Sequence, residues 1–165
     1  MFALLRGTHN KSIKDALGAS AAPFVSSKGY SLTPVPGWQV SEKNPNTDVV
    51  VLGPVYGKFR PNLNVTIVQA KPGETLKDGQ KEVAAIYPRM FTDFKMISSV
   101  IVPGNPETLN VTCRCRQVGQ VLRIRQMVVL KANRVYTFTC TAPDAAYVRY
   151  DAAFTQMLHS VKWSN

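Results

Sequence analysis

Acidic side chains are scarce in this chain of 165 residues: 10 Asp and Glu stand against 20 Lys and Arg, giving a formal net charge of +10 and a pI near 9.8. Charge of either sign is sparse, at 18% of residues, so the basic excess is not diluted within a highly charged surface. Histidine occurs only at His9 and His159, far apart and without ligand spacing. Cysteine occurs three times, at Cys113, Cys115 and Cys140, an odd set that gives neither a disulfide framework nor the four ligands of tetrahedral zinc. No metal site and no cofactor are expected. Long apolar runs are also missing: nothing approaches the roughly 18 or more residues of a membrane span. There is no ordered Ser/His/Asp set, no carboxylate pair beside a histidine and no glycine-rich phosphate loop, so catalysis is not expected.

What is present is a chain with 45% hydrophobic residues, enough for one core and too short for two ordinary domains. Met1 to Leu5 is too short for the apolar core of a secretory signal, and an intracellular, cytoplasmic location is expected, with organelle import left open by Arg6, Lys11 and Lys14. Residues 1–27 read as a flexible basic extension, with a short helix around Ile13 to Leu17, and residues 28–165 as the folded domain.

Organised structure begins with Gly29 to Thr33, alternating and β-prone, then breaks at Pro34-Val35-Pro36-Gly37-Trp38. Asp48 to Val55 is β-branched but interrupted by Gly53-Pro54. Pro61 to Ala70 alternates Leu63, Val65 and Ile67 with Asn62, Asn64 and Thr66, the period of a half-buried strand. Thr75 and Asp78 have capping-box spacing, and Leu76, Val83, Ile86, Tyr87 and Met90 form a helical stripe that Pro88 should kink or end. A second stripe runs through Tyr147, Tyr150, Phe154, Met157, Leu158 and Val161, with Asp144 as its candidate N-cap. Between the helices lie Ser98 to Val102, Leu109 to Val118, Val121 to Leu130 and Val135 to Thr141. Strands joined by two or three residues must be antiparallel. The expected architecture is α+β: an antiparallel sheet of about six strands with helices packed on both faces, an α-β-α sandwich.

The hairpin around Gly119 carries the candidate site. A two-residue loop with Gly119 in its first position pairs Arg116 with Arg123 and Arg114 with Arg125, and puts all four arginines on one face. Like charges opposite each other across strands cost roughly 0.2 to 1 kcal/mol per pair. No acid occurs between Glu107 and Asp144 to offset that cost locally. Thr112, Met127 and Val129 continue the face, so a helix is expected over its apolar end while the arginine end faces solvent. Arg114, Arg116, Arg123 and Arg125 therefore read as a docking face for an acidic protein partner, since guanidinium forks match carboxylates and phosphates. The competing reading is an ordinary surface ion network completed by Glu42, Asp48 or Glu107. A small anionic ligand held between sheet and helix is the alternative function. Specific nucleic-acid recognition is not expected: no helix concentrates Lys and Arg, and Lys58-Phe59-Arg60 is a single basic-aromatic triplet.

A three-residue loop through Ala132-Asn133 puts Cys140 on the face of Cys113 and Cys115. Two strands then separate Cys140 from Cys115, roughly 9.6 Å at ~4.8 Å per strand, beyond the ~7 Å that a disulfide tolerates. All three thiols are expected free and buried.

Taken in order, the Tyr30 strand, Pro36-Gly37-Trp38, Asn62-Leu63-Asn64-Val65, the Thr75-Leu76 helix start, the meander and the closing Phe154, Leu158 and Ser160 resemble the Mog/PsbP-like superfamily, DcrB and DUF1795-type members above all. The resemblance spans Lys28 to Trp163. It implies an α-β-α sandwich acting by protein association; the Mog branch binds the small GTPase Ran and the PsbP branch docks on photosystem II. No functional residue is carried over.

Overall fold

The structure, a computed structural model, describes residues 22–117 and 119–164. The expected helix at Ile13 to Leu17 and the basic residues up to Lys14 lie outside the described residues. Folded structure starts before residue 28: β1 (Phe24–Ser26) pairs with β2 (Tyr30–Leu32), which also pairs with β10 (Lys162–Trp163), making a three-stranded antiparallel sheet. The main sheet has seven antiparallel strands in the order β3-β4-β5-β9-β8-β7-β6. Its members are β3 (Gln39–Ser41), β4 (Val49–Leu52), β5 (Asn62–Gln69), β6 (Thr92–Val102), β7 (Thr108–Gln117), β8 (Gln120–Lys131) and β9 (Arg134–Pro143). Seven strands replace the roughly six that the sequence predicts, because β3 is three residues long and shows no alternation.

Two helices complete an α+β protein. In α1 (Leu76–Met90), Thr75 Oγ1 accepts from the Asp78 amide at 3.3 Å while the Asp78 carboxylate accepts from the Thr75 amide at 3.1 Å, a reciprocal cap. The Thr75 bonds hold the Asp78 carboxyl below its usual range. Pro88 does not end this helix at once; it closes two residues later, where Phe91 turns extended. The second helix, α2 (Val148–His159), follows a one-turn 3-10 helix at Asp144–Ala146 and has no side-chain cap. Asp144, the expected cap, is engaged elsewhere.

Strand parity divides the core. Val129, Phe138, Leu63 and Val65 share one face of the main sheet and pack with Phe154, Met157 and Leu158 of α2. Tyr30 and Leu32 of the smaller sheet join the same cluster, with the Tyr30 and Phe138 rings edge-on at 5.4 Å. That layer is therefore part helix and part sheet, not the helical layer of a simple sandwich. Leu109, Val111 and Val128, of opposite parity, pack against Leu76 and Val83 of α1.

At the outer edge, the pairing of β6 with β7 is broken twice, between Thr92 and Lys95 and between Met96 and Ser98. Asp93 sits in the first break with φ +52°, a left-handed conformation typical of bulges.

Candidate functional site

The β7–β8 hairpin closes one residue earlier than expected, with Gln117 paired to Gln120 and Gly119 at φ +74° just before the return strand. Moving a two-residue loop by one position shifts each partner by two, so every side chain keeps its face. The four arginines accordingly share one face, but their pairing changes. Arg114 opposes Arg123, Arg116 opposes Val121, and Arg125 opposes Thr112. Only one like-charge pair is directly opposed, and the other two guanidiniums flank it diagonally.

Three aspartates meet this ladder. Arg123 donates from Nε to Asp144 at 2.8 Å and brings its Nη2 within 2.7 Å of the same carboxylate. Arg114 Nε lies 3.3 Å from Asp144, so one carboxylate bridges the opposed pair. Arg116 Nε donates to Asp93 at 2.8 Å, made possible by the bulge in β6. Arg125 Nη1 donates to Thr155 at 2.8 Å and to Asp151 at 3.4 Å, both on α2. None of Glu42, Asp48 or Glu107 takes part. Asp48 instead pairs with Lys28 at 3.4 Å and accepts from Ser26 and Tyr30.

Side-chain exposure grades along the ladder: 47% at Arg114 and Arg116, 36% at Arg123 and 25% at Arg125. Part-exposed ion pairs are worth ~0 to 1 kcal/mol each, about what the opposed arginines cost. The aspartates make the cluster tolerable without making it a source of stability. Four guanidiniums against three carboxylates leave a positive surplus on the pair that shares Asp144, Arg114 and Arg123, of which Arg114 is the more exposed. Arg114 makes no hydrogen bond among the described residues, and Arg116 uses only Nε. Both side chains are 47% exposed, and the contacts recorded for them are made by Nε.

Three further cations make contacts of their own away from the ladder. Arg60 donates to the Gly53 carbonyl at 3.0 Å and to Gln39 at 2.6 Å, which ties the Lys58-Phe59-Arg60 triplet down. Arg149 lies over the Tyr56 ring and Lys131 over Trp163.

Beside the ladder, between β7, β8 and α2, is a cleft of ≈ 290 Å³ lined by Thr112, Arg123, Arg125, Tyr147, Val148 and Asp151. Arg123 lies 5.0 Å from the centroid of the Tyr147 ring. The Tyr147 hydroxyl is buried with no hydrogen-bond partner among the described residues, and burial holds the phenol far above its usual range. This cleft was not legible in the sequence, because its Asp151 and Thr155 contacts depend on where α2 crosses the sheet.

Cys140 is a correction. The β8–β9 loop has two residues, Ala132 and Asn133 at φ +48° and +60°, the conformation of a type I′ turn, and Lys131 pairs with Arg134. One residue fewer in the loop flips β9, so Cys140 faces Arg125 on the arginine side while Cys113 and Cys115 lie on the other. All three thiols are free and buried. Burial pushes Cys113 up to about 12 and raises Cys115 and Cys140 also; the pull of Arg125 on Cys140 is the smaller effect. The folded protein should resist an aqueous disulfide reagent at pH 8 and react at three sites once denatured. Because the folded thiols stay protonated while unfolded ones ionise, this contribution to stability is complete below about pH 8.5. It falls as pH rises toward the folded values, by up to about 1.4 kcal/mol per thiol per unit. Urea titrations at pH 7 and pH 10 measure the difference.

The architecture is that of an α+β protein whose fold is similar to that of PsbP-like proteins. The solution structure of cyanobacterial PsbP (CyanoP) from Synechocystis sp. PCC 6803 superposes with a TM-score of 0.66 at 16% identity, over 88% of this chain and 93% of that one. LpqN, involved in cell envelope biogenesis of Mycobacterium tuberculosis, gives 0.65 at 12% identity over 90% and 87%. PA94 from Pseudomonas aeruginosa, a protein of unknown function described as a putative regulator, gives 0.62 at 12% over 86% and 96%. These likenesses establish the fold alone. No protein-family model and no curated protein matches the sequence. No helix among the described residues is long and apolar enough to cross a membrane.

Proposed function

We propose that the protein is a non-catalytic interaction module that docks an acidic protein partner through the arginine face. One observation carries this reading: four guanidiniums meet three carboxylates, with Arg114 and Arg123 sharing Asp144, and Arg114, the half-exposed member of that pair, stands next to the equally exposed Arg116. The aspartates orient the forks before a partner arrives, which lowers the entropy lost on binding. The proposal includes an intracellular setting, where three unpaired buried thiols are at home. It also includes placement beside DcrB and DUF1795-type members, which rests on the order of the sequence motifs.

The test is Arg114→Ser with Arg116→Ser. Both side chains are half exposed, so stability should change by less than about 0.5 kcal/mol. In affinity purification with mass spectrometry, an acidic protein captured by wild type at low salt should be lost by the variant, and lost by wild type at high salt. Equal recovery by both proteins would overturn the proposal.

A second reading, a small anionic ligand, is favoured by the cleft beneath Tyr147, where Arg123 and Arg125 converge with Thr112. Thermal-shift screening with carboxylate and phosphate metabolites distinguishes it. Saturable, selective stabilisation that Arg123→Ser removes would place the function in the cleft and not on the exposed fork.

A further inference from the structure

The other face of the sheet holds a second cleft with the opposite chemistry. It has a volume of ≈ 330 Å³, at the lower end of the roughly 300–1,000 Å³ of small-molecule sites, and lies between α1 and strands β5, β7, β8 and β9. Its walls are apolar, with Val83 and Ile86 of α1 facing Leu109 and Val128 of the sheet. In a chain with twice as many bases as acids, the lining includes Glu74 and Glu82 and no Lys or Arg. Neither glutamate forms an ion pair among the described residues; Glu74 accepts only from the Lys71 backbone amide, at 2.7 Å. Apolar side chains also ring the mouth, with Val68 59% and Met90 64% exposed.

Gly79 supplies an independent observation. It sits inside α1 with no left-handed backbone to require glycine, and a Cβ built there meets only Leu109 Cδ2, at 3.8 Å, an ordinary contact. Alanine would fit and would favour the helix. What glycine leaves at this position is open space in the cleft wall.

We infer that this cleft binds an amphipathic cation: a small molecule with an apolar body along the wall formed by Val83, Ile86, Val128 and Val135 and an ammonium or guanidinium group at Glu74 and Glu82. The site is independent of the arginine face, and its acidic rim selects against the anions that the protein's overall field attracts.

Isothermal titration with octylammonium, octanol and octanoate, all below their aggregation limits, tests the inference. Octylammonium should bind saturably and at least about fivefold tighter than octanol, with octanoate weakest. Glu74→Gln with Glu82→Gln should bring octylammonium to the affinity of octanol. Gly79→Leu, which fills the cleft from a helical position, should abolish binding of both while thermal melting confirms the fold. Octanoate binding as tightly as octylammonium, binding that survives Gly79→Leu in a folded protein, or no saturable binding of octylammonium would each overturn the inference.

Discussion

Phe154→Ala is expected to lower stability by about 3 to 5 kcal/mol, the range for removing a fully buried aromatic ring. Phe154 is 0% exposed and is the point at which α2 is held to the rest of the molecule. Its ring meets Trp38 edge-on at 5.5 Å and Tyr147 at 5.9 Å, so one side chain joins the helix, the 3-10 turn and the loop before β3. Truncation leaves a cavity that these larger rings cannot collapse into without leaving their rotamers. Urea unfolding at pH 7 should show a lower midpoint with an unchanged slope. A loss below about 1.5 kcal/mol would mean that α2 is not seated as described. Since Asp144, Asp151 and Thr155 reach the arginines from this same segment, the variant should also loosen the ladder.

Asp48→Ala should cost about 3 kcal/mol, through hydrogen bonding and not through volume. The Asp48 carboxylate accepts from Ser26 Oγ at 2.6 Å and from the Tyr30 hydroxyl at 2.8 Å, and it pairs with Lys28. It thus joins the three-stranded sheet to the start of β4. Hydrogen bonds to a charged acceptor contribute roughly 1.5 to 3 kcal/mol, and its removal leaves the hydroxyl of a wholly buried Tyr30 without its partner. Burial and the neighbouring carboxylate together keep the Tyr30 phenol protonated well beyond its usual range, so the phenol remains a donor at any working pH. Hydrogen exchange should show protection lost first in β1 and β2, ahead of the main sheet. Unchanged protection there would contradict the tie. Asp48→Asn, which keeps one acceptor oxygen, should lose less.

The strongest features of this fold were local ones. The Thr75 and Asp78 spacing marked the start of α1, and the alternation of Leu63, Val65 and Ile67 marked β5, because each signal involves residues close in sequence. The arginine face was legible for a similar reason. Its hairpin kept two loop residues, so misplacing the loop by one changed the partners but not the face. The β8–β9 turn failed where the chemistry was unusual: Ala132 carries a Cβ yet adopts φ +48°, which favoured a longer loop on paper and sent Cys140 to the wrong side.

The counter-charges were beyond sequence reasoning for a different cause. Asp93 reaches Arg116 only because the edge strand bulges, and Asp144 was assigned to a helix cap, the commonest use of an Asp before a helical stripe. The structure gives it to Arg114 and Arg123 and leaves α2 uncapped. The apolar cleft was equally hidden, since its walls come from five elements and its clearest local sign, Gly79, looks in sequence like a weak point in a helix.

The two interruptions in β6 bear on how this protein behaves when crowded. A strand of 11 residues at the margin of a sheet is a template on which another chain can add itself, and it exposes Ile97, Val100 and Val102 besides. The breaks at Thr92 to Lys95 and Met96 to Ser98 limit the regular stretch to Ser98–Val102. The bulge that brings Asp93 to Arg116 therefore also shortens the surface on which self-propagating assembly could begin, so a substitution that straightened it would trade an ion pair for a tendency to aggregate.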